Sequence, residues 1–136
     1  MATFTKINKF VLNLDQKVFN FASDSFKVAL TNTLPVAATA NQLSDITEIS
    51  YTNCSARALT TSSSSQSSGT YKFVVADLTL TASGAVGPFR YIVIYDDTAS
   101  NKELVCFFDY GSSLTMANGD TLLLDFDNTN GLFQLV

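Results

Sequence analysis

The stretch SLTMANGDTLLLDFDNTNG, Ser113 to Gly131, sets the reading of this sequence. Asn118-Gly119 is the preferred pair for a two-residue type I′ turn, because both central residues there need positive φ. The pair predicts one hairpin joining SLTMA to DTLLLDF. Within the second arm, Leu122, Leu124 and Phe126 point one way. Leu123, Asp125 and Asp127 point the other. The arm is apolar inward and becomes charged outward as it leaves the sheet. Asn128 to Gly131 then supply residues that tolerate a tight turn. A helix-loop-helix calcium site fails here. Its Gly belongs at the sixth position and a bidentate Glu at the twelfth. Counted from Asp125, the Gly is seventh and Val136 is twelfth. The segment therefore reads as a turn, not a metal loop.

Upstream, the same periodicity recurs. Phe26, Val28 and Leu30 alternate with Lys27, Ala29 and Thr31, a strand that ends before Pro35. ITEISYT (46–52) alternates as a second strand, and a short one spans Arg57 to Thr60. YKFVVADLTLTA (71–82) reads as the longest strand. FRYIVIY (89–95) and ELVCFFDY (103–110) are apolar on both faces, as central strands are. LFQLV closes the chain. Strands joined by short turns without helices between them predict an antiparallel β-sandwich or small barrel in residues 26–136. One amphipathic helix precedes it over 3–21. Phe4, Ile7, Phe10, Val11, Leu14, Val18 and Phe21 fall at three-and-four spacing there, with Thr3 or Thr5 as cap. Thr60 to Thr70, TTSSSSQSSGT, has no apolar anchor and reads as an exposed loop or long hairpin tip.

The 136 residues fit a single domain, 1–136. Hydrophobic residues make up 46% and charged residues 15%, against a usual charged share of about a quarter. So little charge points to surface buried in an assembly. Net charge is −4 and the eight Lys and Arg are scattered singly, which argues against a nucleic-acid partner. No continuous apolar run marks a secretion signal or a membrane span. Cys54 and Cys106 then read as buried thiols rather than a disulfide. The absence of His removes Ser-His-Asp and Cys-His catalysis and imidazole metal sites. Asp96-Asp97 reads as a solvated turn, since adjacent strand residues face opposite sides. No nucleophile elbow or phosphate loop occurs. The residues predict no catalytic, cofactor or metal site, and no small-molecule substrate.

FTKINKFVLNLDQKVFNFASDSFKVALTNTLP, DITEISYTN, SSGTYKFVVADLTLTASGAVGPFRYIVIYDD, DYGSSLTMANGDTLLLDF and NGLFQL together resemble small structural proteins of tailed bacteriophages. They are similar to head decoration, or cement, proteins. That resemblance covers nearly the whole chain as a pattern, without a sharp binding motif. It implies a protein made in the bacterial host cytoplasm and carried on the capsid surface. There it binds the major capsid protein lattice and copies of itself, often as trimers, and stabilises the head. The alternatives are a tail or neck component of the same virion, and a carbohydrate-binding β-sandwich, which the lack of Trp weakens. Physical reasoning supplies the contact candidates. These are Phe4, Ile7, Phe10 and Leu14 on the broad helix face, and Ser62, Ser63, Ser64, Ser65, Gln66, Ser67 and Ser68 in the Ser-rich loop. If the helix docks, Phe10→Asp abolishes assembly and leaves a folded monomer.

Overall fold

A computed structural model describes residues 2–136. The protein is mainly β, with antiparallel sheets and, among the described residues, no closed barrel. Its elements are β1 (Thr3–Lys6), α1 (Lys9–Asp15), β2 (Phe26–Thr31), a single 3-10 turn at Leu43–Asp45, β3 (Thr61–Ser67), β4 (Thr70–Val75), β5 (Leu78–Thr81), β6 (Val86–Asp96), β7 (Leu104–Met116), β8 (Thr121–Leu124) and β9 (Phe133–Leu135). A four-stranded sheet has the order β1-β7-β6-β2, a three-stranded sheet β3-β4-β9, and β5 pairs with β8.

Strand period explains how the large sheet is covered. On one face, Phe26, Ile94 and Cys106 meet Phe73 and Val75 of β4, together with Phe10, Phe19 and Phe21. Farther along the same face, Val28, Leu30 and Ile92 meet Leu80 of β5. The other face, with Ala29, Tyr91, Val93 and Tyr95, is covered by Ile7, Ala40 and the loop residues around Leu43 and Ile46. FRYIVIY is indeed central: β6 lies between β7 and β2 and is buried on both faces.

Four expectations are corrected. The first is the helix over 3–21. Thr3 to Lys6 pairs with Asp109 to Cys106 of β7, and only seven residues coil. Asn8 makes no side-chain cap, the first turn carries no acid, the last turn no base, and Lys17 takes φ 60°. Nothing local prolongs so short a helix, and the buried Phe10 holds it.

The second is the hairpin at Asn118-Gly119. The turn exists, with Asp120 N–H donating to Ala117 O at 3.0 Å. Only Gly119 takes positive φ, +88°, so the turn is not type I′ and does not return the chain onto β7. Gly119 N–H donates to Ala82 O, and Ala82 N–H to Asp120 O. The turn thereby hands the chain from β7, whose Met116 pairs Val86, to β8, whose Thr121 pairs Thr81.

Third, YKFVVADLTLTA is two strands. The break falls at Ala76-Asp77, where the Asp77 carboxylate accepts the Phe126 N–H at 2.9 Å. Fourth, ITEISYT and Arg57 to Thr60 form no strand. They run along the β2 edge on single bonds, Ile49 N–H to Leu30 O, Val28 N–H to Arg57 O and Leu59 N–H to Phe26 O. The Tyr51 hydroxyl stands in for a backbone acceptor and takes the Leu30 N–H at 2.9 Å.

Candidate functional site

The helix-face candidates separate. Phe4 sits on β1, 42% exposed, with its ring edge-on to Phe108 at 5.4 Å. Ile7 and Phe10 are buried, at 0% and 3% exposure, and Phe10 reaches the surface only as part of a groove's floor. Phe10 stacks on Phe19 at 5.6 Å and meets Phe133 edge-on at 5.1 Å. Leu14 is half-buried against the same cluster.

What remains outside is a shallow groove of about 330 Å³ between β1, α1 and β9. Phe4, Val11 and Leu135, all exposed, line it with Phe133, Gln134 and Lys6. Sequence periodicity placed Val11 in the core stripe; a seven-residue helix turns it outward, 55% exposed. A second open cleft, about 530 Å³, separates the outer end of β7 from β8. Exposed Tyr110 and Leu123 line it with Phe108 and Phe126. Leu123 was legible as outward-facing from its alternation. The cleft was not, because the two strands were expected to pair.

The Ser-rich candidates are a strand. Ser62 to Ser67 belong to β3, which pairs with β4, and Ser68 and Gly69 form the connecting turn. Both take positive φ, 51° and 80°, so the type I′ turn of this protein lies here. β3 stands at the far side of its sheet from β9, and therefore away from the Phe4 groove.

The carboxylates divide by environment. Asp97 points out, where Lys102 at 2.8 Å and Lys27 at 3.1 Å hold it below the usual carboxylate range. Asp96 points in and is fully buried, against the expectation of a solvated turn. Its Oδ1 accepts from Thr98 N–H and Ala99 N–H, and its Oδ2 has no partner. Burial, and next the Asp24 carboxyl beside it, push it up to about 7. The pair was not legible in the sequence, since Asp24 and Asp96 lie far apart along the chain. In DFDNTNG, Asp127 takes Thr129 N–H and Asn130 N–H on one oxygen and the Asn130 amide on the other. Those donors, the Asn130 N–H foremost, hold its carboxyl low. Turn donors thus engage both oxygens of this carboxylate. Among the described residues, no three His, Cys, Asp or Glu side chains converge as metal ligands. Cys54 and Cys106 are free thiols, both pushed up by burial.

No helix among the described residues is long and apolar enough to cross a membrane. Compared with known protein families, curated proteins and solved structures, the chain finds no match.

Proposed function

We propose that this chain is a non-enzymatic structural protein that works by docking on other protein surfaces. In the setting the sequence resemblance implies, it is a decoration protein on the capsid surface of a tailed bacteriophage. It binds the major capsid protein lattice there and stabilises the head. The observation that carries the docking reading is the groove between β1, α1 and β9, where Phe4, Val11 and Leu135 are exposed side by side. Apolar side chains gathered on an open surface mark an interaction site. The carboxylates nearest to chemistry are engaged in turns and ion pairs instead. We read the layering of the four-stranded sheet against the two smaller sheets as a β-sandwich, a rigid body that presents this groove. A ligand that binds only the assembled lattice stabilises that lattice, and many weak copies act together.

The test is co-sedimentation of the purified chain with empty capsids of its source phage, followed by thermal disruption of the shells. Binding that raises the disruption temperature supports the reading. A chain that ignores shells and assembles alone into rings or tubes overturns it and favours a tail or neck component.

A further inference from the structure

The sheet edges differ in how they are closed. The outer edge of β2 is covered by Ile49, Arg57 and Leu59. That of β5 is covered by Cys54 and Ser55. β1, β8 and β9 are short, at four, four and three residues, and β1 carries Lys6. β3 is different. It runs seven residues, pairs only with β4 among the described residues, and holds neither a charge nor a proline. Folded proteins protect long edges with those devices, because unpaired N–H and C=O groups template another strand. The one bulge lies between Thr61 and Ser63, and Ser63 to Ser67 are in regular register.

The turn fixes which groups face outward. A two-residue turn makes Ser67 and Thr70 the pair that exchanges both hydrogen bonds. Alternation then directs the backbone groups of Ser63 and Ser65 to β4, and those of Ser64 and Gln66 to the open side. The geometry points to this edge as the seam between two copies of the chain. Antiparallel pairing about a two-fold axis through Ser65 sets Ser64 of each copy against Gln66 of the other. Ser65 meets its own copy at the axis, and Ser63 meets Ser67. Each such pair joins groups that both donate and accept, so the strand complements itself. Recognition of an unlike strand uses pockets for alternate side chains, and β3 offers only small polar ones. Charge agrees: no charged residue lies between Arg57 and Lys72, so two chains of net −4 meet without acid opposing acid. The inference stands apart from the capsid reading.

The experiment is molar mass by light scattering on the purified chain over a dilution series, for the wild type and three variants. The wild type is expected to be a dimer. Ser64→Pro removes an outward N–H and leaves the β4 ladder whole, and is expected to weaken the dimer by about tenfold or more. Ser64→Ala keeps that N–H and loses only hydroxyl contacts, to the Tyr71 OH at 2.8 Å and to Gln66 of the other copy, so it should weaken the dimer far less than Ser64→Pro. Ser65→Lys sets two ammonium groups against each other at the axis, beside the Lys72 of each chain's own β4, and circular dichroism checks that the hairpin holds. It should be monomeric at low salt and recover the dimer as salt rises. Should Ser64→Pro fail to fold, Ser65→Lys decides. A wild type that stays monomeric at millimolar concentration overturns the inference. So does an oligomer of any size that Ser65→Lys leaves unchanged at low salt.

Discussion

Asp96→Asn should stabilise this protein above neutral pH and change little in acid. Asp96 is fully buried at the end of β6. Its Oδ1 caps the following turn through Thr98 N–H at 2.9 Å and Ala99 N–H at 3.1 Å. Its Oδ2 has no donor, and the neighbouring Asp24 is itself acidic. Desolvation first and Asp24 second push the carboxyl from its ordinary 3.8 up to about 7. The folded state therefore holds a proton that the unfolded chain releases. A raised value contributes stability fully below pH 3.8, and loses it as pH rises through about 7. Above that, the fold carries a buried carboxylate compensated only at Oδ1.

A shift of about three units sets a ceiling of about 4 kcal/mol on the cost at high pH. Asp24 is half-exposed, and solvent screening of the pair brings the expected cost to about 2 kcal/mol. Asn keeps an oxygen for Thr98 and Ala99 and carries no charge into the buried site. Melting followed by circular dichroism between about pH 4 and about pH 9 reads the result. The variant should gain about 6 °C over the wild type at the alkaline end and match it at the acidic end. A variant that melts lower at both ends, or whose pH slope equals that of the wild type, refutes the argument.

Phe10→Asp buries an unpaired charge in the Phe19–Phe21–Phe133 cluster and should cost roughly 4 kcal/mol or more. The chain should fail to fold, visible as lost near-ultraviolet signal, where a docking helix would have left a folded monomer. Gly131→Ala should cost about 2 kcal/mol or more in urea unfolding, because φ is +81° and a Cβ would lie 2.5 Å from Phe73 O. Gly119→Ala shares the positive φ but meets nothing within 4 Å, so its cost should stay near about 1 kcal/mol.

Periodicity was legible wherever a segment's own neighbours decide its state. Phe26 to Thr31, Phe89 to Tyr95 and the apolar face of Leu122 and Leu124 all read as strands and are strands. Partner choice was less legible, because it rests on dihedrals that the residue pair does not fix. Asn118-Gly119 and Ser68-Gly69 show the difference. The more favoured pair keeps Asn118 out of positive φ, because its turn is anchored to Ala82 on the neighbouring strand. The less favoured pair adopts both positive angles, because Ser67 and Thr70 are held in register by the full length of β3 and β4. Tertiary hydrogen bonds selected the turn type in each case.

The same principle explains the candidate surface. A three-and-four spacing cannot separate a long helix from a strand followed by a short helix, since Phe4 and Phe10 keep the same spacing in both. Only the pairing of Thr3 to Lys6 with β7 turns Phe4 outward while Phe10 stays inside. The serine run is the converse case. It lacks an apolar anchor, and by composition alone nothing should order it. It is ordered because Tyr71, Phe73 and Val75 on β4 anchor the hairpin from one side, and because Tyr71 reaches across to Ser64. Order borrowed from one partner strand leaves the other edge as hydrogen-bonding as the first. A strand without an apolar residue of its own, held by one neighbour and unprotected on the other side, has the open edge that the proposed pairing needs.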